Sequence, residues 1–316
     1  MAEISNNIQQ AQKHLATGEL VAIPTETVYG LAANALNVHA VAKIFEVKNR
    51  PTFDPLIVHI AYPSDVEKYA AVFPGPARDL AMKFWPGPLT LLLPKRDIIP
   101  DLVTAGLKTV GLRCPNHPLA LGLLRAAGFP LAAPSANPFG YISPTTAQHV
   151  QDQLGDKIPF ILDGGASAVG LESTIVGFER GEISIHRLGG LSVEAIEAVV
   201  GNVKVKTHSS SNPQTPGQLD SHYAPRKKMV VGNINELMRK HYGERVGVLS
   251  FKISYAADYS FVLSKNGSPT EAAQNIFSML RALDQSPVDL IIAELVPEQG
   301  VGRAINDRLK RASFGS

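Results

Sequence analysis

Apolar and polar positions along the chain switch repeatedly between a period near 3.6 and short unbroken apolar runs. Residues 8–18 have helical spacing and stop at Gly18. Leu20-Val-Ala-Ile23 is a short apolar run of the kind a buried strand makes. It enters Pro24-Thr-Glu-Thr-Val-Tyr-Gly30, where hydroxyls and a carboxylate sit at a strand end. Asn37 is a good N-cap for a helix over 38–48, with Val38, Val41, Ile44 and Phe45 on one face. Pro51 biases Arg50 away from helical angles and stops that helix near Lys48; Pro55 opens a strand over Leu56–Ile60. The pattern then predicts a helix at 76–84, strands at 89–93 and 109–113, a helix at 117–127 and a strand at 129–133. Pro134-Ser-Ala-Asn137 interrupts it. Ser143-Pro144 reads as an N-cap with proline in the first turn of a helix to Leu154. Strands at 159–163, 173–178 and 183–187 follow, and Ser192 caps a helix to 200.

Residues 201–226 carry no apolar period. They are polar and turn-rich, and end in His222-Tyr-Ala-Pro225, which is oddly specific for a spacer. Beyond them strands at 228–231, 245–250, 259–263 and 289–295 alternate with helices at 234–242, 270–283 and 301–312. Such alternation argues a small open parallel sheet. The organisation expected is a domain over 1–200, a linker over 201–226 and a second domain over 227–316.

Composition narrows the class. The chain has 316 residues, 45% hydrophobic and 18% charged, which suits two globular domains and excludes disordered or fibrous classes. One cysteine, Cys114, cannot pair within the chain, so a reducing cytoplasm is expected. The N-terminus lacks the basic-then-apolar plan of a signal peptide, and no apolar run approaches the ~20 residues of a membrane span. Residues 1–200 hold 15 Lys and Arg against 18 Asp and Glu, a net of −3; residues 201–316 hold 15 against 10, a net of +5. A nucleic-acid-binding face shows as a basic excess. The first region has none, so its cations are better placed for a small anion. The +5 of the second region fits an ordinary solvated surface.

Familiar nucleotide and metal signatures are missing: G-x-x-x-x-G-K-[ST], G-x-G-x-x-G after a strand, H-E-x-x-H and Cys/His zinc spacing. Lys48 and Arg50 stand two apart past a helix end. In an extended segment they would point the same way and converge on one phosphate; equally, they suit a helix dipole. Ser135 and Asn137, also two apart, fit phosphate oxygens, a metal-bound water or ordinary turn chemistry. Arg113 closes a strand and wants a carboxylate, from a small acid ligand or from a structural Asp or Glu. His59 ends an apolar strand. Glu172-Ser-Thr174 and Arg187 repeat the pattern of polar residues bordering strands. Cys114 with His117 reads as helix initiation rather than a thiol nucleophile, and Gly300-Val-Gly302 as a turn rather than an anion site. No Ser-His-Asp order or carboxylate pair stands out. That suggests catalysis by positioning and charge neutralisation, the way phosphoryl and nucleotidyl transfers are often run.

Five segments carry a resemblance: Pro24-Thr-Glu-Thr-Val-Tyr-Gly-Leu31, Lys48-Asn-Arg-Pro51, Pro55-Leu-Ile-Val-His-Ile60, Trp85-Pro-Gly-Pro-Leu-Thr90 and Pro134-Ser-Ala-Asn137. Together they resemble the YrdC-type L-threonylcarbamoyladenylate synthases, in order over residues 8–200. His222–Pro225 and Gly302-Arg-Ala-Ile-Asn-Asp-Arg-Leu309 resemble the linker and last helix of the family's long, two-domain form. The resemblance implies an α/β fold, a twisted open mixed sheet with a concave basic face, followed by a small Rossmann-like domain. It implies synthesis of threonylcarbamoyl-AMP and pyrophosphate from L-threonine, bicarbonate or CO2, and ATP, for threonylcarbamoylation of adenosine 37 in tRNA. Lys48, Arg50, Ser135 and Asn137 match the family's phosphate-binding tetrad, the catalytic set. Arg50, Thr109, Ser135, Ser143, Arg187 and Tyr223 match its ATP contacts, with Asp54 where many members have Asn. Thr27, His59, Arg113, Ala133 (through its backbone) and Ser173 match its threonine site. Magnesium is implied on the ATP phosphates rather than on side chains. Tyr223, carried by the linker over the site, would act as a lid. Gln218 and Ser221 depart from the family's Met after Pro-Gly and basic residue before His-Tyr. The product would pass to a tRNA threonylcarbamoyl transferase machinery. A tRNA-gripping module and a carbamoyl transferase with another acceptor are the alternatives. The −3 balance of residues 1–200 and the lack of stacking aromatics count against the first.

Overall fold

The computed structural model describes residues 1–179, 181–206, 215–216 and 222–314; Gln218 and Ser221 lie outside the described residues. The strands are β1 (Glu3–Ser5), β2 (Val21–Ile23), β3 (Gly30–Asn34), β4 (Ile57–His59), β5 (Leu89–Pro94), β6 (Thr109–Arg113), β7 (Leu131–Ala132), β8 (Phe160–Leu162), β9 (Thr174–Glu179), β10 (Glu182–Arg187), β11 (Lys204–Val205), β12 (Lys228–Val231), β13 (Val246–Ser250), β14 (Tyr259–Val262) and β15 (Leu290–Ala293). The helices are α1 (Ile8–Ala16), α2 (Val38–Lys48), α3 (Val66–Tyr69), α4 (Gly75–Phe84), α5 (Asp101–Thr104), α6 (Pro118–Ala127), α7 (Ala147–Leu154), α8 (Val193–Val200), α9 (Ile234–Lys240), α10 (Pro269–Gln285) and α11 (Gly302–Ala312).

The first eleven strands form one mixed sheet in the order β1-β8-β2-β3-β7-β4-β6-β5-β9-β10-β11. Its strands are short, and most are buried on both faces, which is why their sequences read as apolar runs rather than alternations. Gly30-Leu-Ala-Ala-Asn34 gave no strand signal, because it lacks β-branched residues. It pairs nonetheless, as small residues fit between β2 and β7. β11 lies inside the stretch read as linker and extends the sheet beside β10. The last four strands form a separate parallel sheet, β12-β15-β13-β14, as their alternation with helices predicts.

Helix starts follow their caps. Asn37 accepts from Ala40 N, and Ser192 from Ala195 N. Ser143 does not cap α7. Thr146 does, accepting from His149 N, while the Ser143 hydroxyl goes elsewhere. Gly300 and Gly302 make a tight turn into α11: a Cβ on Gly302 would stand 2.0 Å from Pro297 O.

The two sheets share a core. Val28, Ile142 and Leu171 of the first part cluster with Tyr223, Met229, Leu249, Ile276 and Phe277. Gly170 lets the parts approach: its φ is +76°, and a Cβ there would lie 2.2 Å from Ala273 O in α10. Arg281 of α10 crosses the same boundary, donating through Nε to Ser143 O at 3.2 Å and through Nη2 to Ile142 O. Tyr141 Oη bonds Asp284 at 2.5 Å.

Candidate active site

A cavity with about 550 Å³ of empty space, part of it open to solvent, lies against one face of the large sheet. Ile57 and His59 reach it from β4, two residues apart and so on one face. Arg113 reaches it from β6, where it is the register partner of His59. Thr25, Thr27 and Val28 line it from the loop after β2, Ala133 to Ser135 from beyond β7, and Glu172 from before β9. Arg187 at the end of β10, Arg50 after α2, and Pro216, His222 and Tyr223 complete it.

The corner at residues 48–50 is built differently from the extended segment expected. Lys48 still belongs to α2, and Asn49 is left-handed at φ 52°. Arg50 N bonds Phe45 O and Asn49 N bonds Glu46 O, so the helix ends in a Schellman motif. That reversal, not strand geometry, brings the two cations together. The Lys48 ammonium donates to the backbone carbonyls of Ser135, at 2.7 Å, and Asn137. Burial first, and then Arg50, pull its pKa well below the ordinary lysine value. Arg50 donates to Asp54 O at 3.2 Å and Pro55 O at 2.9 Å, and stands 2.9 Å from the Asp54 carboxylate. Burial pushes Arg50 down and Asp54 up, each against the pull of the other. Lys48 thus ties the Ser135–Asn137 loop to the helix end, and Asp54 orients Arg50.

Arg113 finds a protein carboxylate, one of the two partners its position suggests: Glu26 Oε1 is 2.8 Å from Nη2, both side chains under a tenth exposed. The pair is close without being a well-aligned hydrogen bond. Nε and Nη2 of Arg113 and both Glu26 oxygens lack a hydrogen-bond partner. So do Nδ1 of His59, Nδ1 of His222 and Oδ1 of Asn137. Orphaned buried atoms are expensive in a finished core, and at a cavity wall they mark places for a ligand. Burial, with Arg113 second, lowers His59 to about 3, so its ring is neutral.

The remaining predicted residues divide. Thr27, Ala133, Ser135, Arg187 and Tyr223 line the cavity. Thr27 Oγ1 is 2.7 Å from Thr25 Oγ1. Ser173 stands behind the wall: its hydroxyl is 2.7 Å from Thr90 Oγ1, and its carbonyl accepts Nε and Nη2 of Arg187 at 3.1 and 3.0 Å. Ser143 is buried and donates to Glu172 Oε1 at 2.6 Å. Thr109 lines an adjoining crevice with Pro55, Ile57, Thr90, Ile175 and Pro216. Asn137 lies just behind Ser135, its amide nitrogen bonded to Pro138 O and Tyr141 O. Tyr223 is buried at φ 63°, a strained conformation for a bulky residue, held by stacking on Phe277 and by Arg308 over its ring. Cys114 is buried and its thiol is pushed up to about 11 by burial, which suits packing rather than nucleophilic chemistry.

Glu26 as the partner of Arg113 and Glu172 as a wall residue were not legible in the chain, and Arg308 showed only as one position of the last-helix segment, without a role. Glu26 was visible as the carboxylate of Thr25-Glu26-Thr27, and Arg113 as a strand-end cation in need of one; only the fold joins them.

A family model described as "Telomere recombination" (Sua5_yciO_yrdC) matches residues 13–189, and a model described as "Threonylcarbamoyl-AMP synthase, C-terminal domain" matches residues 191–313. The threonylcarbamoyl-AMP synthase of Bacillus subtilis is 43% identical, over 99% of this chain and 95% of its own. The chain belongs to the threonylcarbamoyl-AMP synthase family. The Pyrococcus abyssi member is also 43% identical, over 97% of this chain and 94% of its own. A crystal structure of P. abyssi Sua5 complexed with L-threonine matches with a TM-score of 0.93 at 41% identity, covering 99% of this chain and 97% of that one. Escherichia coli YciO, at 21% identity and TM-score 0.53 over 60% of this chain, shares the fold of the family's first domain. The family's two-domain form accounts for both sheets seen here.

Proposed function

We propose that this chain makes threonylcarbamoyl-AMP and pyrophosphate from L-threonine, bicarbonate or CO2, and ATP. The observation that carries the reading is the division of charge around the cavity. Arg50 and Arg187 line the cavity with Lys48 behind the Ser135 loop, and after burial it is Arg50, Lys48, Arg308 and Arg187 that press the His222 ring well below its ordinary pKa. Such a field suits a polyphosphate. The other side offers a neutral imidazole with a free nitrogen, an arginine fork and the Thr27 hydroxyl, a set that fits a small hydroxylated amino acid.

The steps follow from that division. Arg113 takes the threonine carboxylate and leaves the amine inward. The amine loses a proton and its nitrogen bonds to the carbon of CO2, giving a carbamate. A carbamate oxygen then bonds to the α-phosphorus as the bond to the β-phosphate oxygen breaks. Arg50 neutralises the leaving pyrophosphate. Lys48 acts from behind, holding the Ser135–Asn137 loop and adding its charge. Carbamates and acyl adenylates hydrolyse readily, so Tyr223 and Pro216 over the cavity serve to exclude water.

Magnesium belongs with the ATP phosphates in this reading. Among the described residues no group of three His, Cys, Asp or Glu side chains is placed to hold a metal. Asp54 and Glu172 are held by arginines. Ser135 and the free Oδ1 of Asn137 are neutral oxygens that fit the water shell of a phosphate-bound ion. Magnesium there would neutralise phosphate charge.

The product would serve the first step of N6-threonylcarbamoyladenosine formation at tRNA position 37, passing to a separate transferase in the cytoplasm. No described helix is long and apolar enough to cross a membrane. Pyrophosphate release tests the proposal, with threonine and bicarbonate added singly and together. Release is expected only with both; release indifferent to threonine would overturn it.

A further inference from the structure

The last helix of the chain reaches the cavity wall. Arg308 of α11 has a side chain 0% exposed. Its Nε donates to Glu172 Oε2 at 3.0 Å, its Nη2 to Leu188 O at 2.8 Å and its Nη1 to Asp307 Oδ2 at 2.7 Å. Its guanidinium lies over the Tyr223 ring, 4.9 Å from the centroid. Glu172 lines the cavity, and its second oxygen accepts the Ser143 hydroxyl. One side chain from the second domain therefore touches two residues that line the cavity, Glu172 and Tyr223.

The chemistry of that contact is specific. A carboxylate on the wall of a cavity meant for a triphosphate repels it unless neutralised. Removing one partner of a buried ion pair leaves the other uncompensated. Glu172, as a carboxylate, can only accept hydrogen bonds, so the Ser143 proton points to it. Buried Ser143 is thereby fixed directly behind Glu172, which lines the cavity.

We infer that Arg308 is a positioning residue for the nucleotide, through which the C-terminal domain takes a direct part in the reaction. It neutralises Glu172, fixes the Ser143 hydroxyl and braces Tyr223. The inference rests on the proposed use of ATP in this cavity.

The test uses the full chain and three variants: Arg308→Met, Glu172→Gln and the two combined. KM for ATP and for threonine are measured separately by pyrophosphate release, with thermal unfolding alongside. Arg308→Met is expected to raise the ATP KM about tenfold or more, with the threonine KM moving less than about threefold. The combined variant is expected to recover most of the ATP KM, because the uncompensated carboxylate is gone and glutamine still accepts from Ser143. A bracket that only holds the domains together would shift both KM values and would not be rescued. An unchanged ATP KM in Arg308→Met, or no rescue, overturns the inference. Should Arg308→Met fail to fold, Arg308→Lys replaces it. It keeps the charge but not the fork, and is expected to raise the ATP KM about threefold; no change overturns the inference. Calorimetric ATP binding gives the same comparison without turnover. If the unaltered chain needs no threonine, the functional proposal falls; if it does and the Arg308 variants match it, only this inference falls.

Discussion

His59 and Arg113 are register partners on parallel strands, and Arg113 turns its guanidinium to Glu26 2.8 Å away. The arginine therefore has a protein partner and free donors at once. Arg113→Gln is expected to raise the threonine KM about tenfold or more, leaving the ATP KM nearly unchanged. It is also expected to cost about 3 kcal/mol of stability, because Glu26 stays buried without its cation. Adding Glu26→Gln should restore the stability and not the threonine KM, as read by urea unfolding and initial rates.

Acid should destabilise the fold more than its carboxylates alone explain. Burial holds His59 near 3 and His149 near 4, and lowers His186 and His222. Each folded pKa lies below the unfolded value of 6.5, so between the two the unfolded chain binds more protons. The stability is fully present above pH 6.5 and is lost as pH falls toward the folded values. Between pH 7 and pH 5 His59 alone accounts for up to about 2 kcal/mol. His59→Gln should flatten the pH dependence of the urea midpoint in that window; an unchanged slope would contradict the burial assigned to it.

Lys48→Met tests the tie between α2 and the Ser135–Asn137 loop. Two carbonyls lose a charged donor, at about 1–3 kcal/mol for each group left unsatisfied. Turnover should fall about a hundredfold, since Ser135 loses its fixed position. The same variant with a normal melting temperature and normal kcat would show that the lysine is not an anchor.

Much of this was legible in the chain. Helical spacing and the Asn37 and Ser192 caps located α2 and α8, and the short apolar runs located β5, β6, β9 and β10. Gly30–Asn34 was not legible, because a strand of Gly and Ala is selected by its neighbours and not by its own propensity. At the site, the strand-end positions of His59, Arg113 and Arg187 stood out. What their forks hold did not: Glu26 is 87 residues from Arg113 in sequence, and Glu172 is 136 from Arg308. Ser143 misled because serine before proline looks the same whether its hydroxyl caps a helix or serves a carboxylate.

The boundary between the domains should tolerate no added volume. Gly170→Ala places a Cβ against Ala273 O and requires a left-handed alanine. It is expected to cost more than about 2 kcal/mol and to lower activity without touching a ligand. Removing residues 207–316 goes further, exposing Val28, Ile142 and Leu171, which the second domain covers. That fragment should aggregate on warming and release little pyrophosphate; a monodisperse, fully active fragment would refute both expectations.

The place of Arg308 also sets an order of events during synthesis. All eleven strands of the large sheet leave the ribosome before α11 does. A nascent chain can therefore assemble its first domain while Glu172 still lacks its counter-charge. If Arg308 positions the nucleotide as proposed, tight nucleotide binding is expected only once α11 has emerged and docked. Copies still lacking α11 are then expected to consume little ATP.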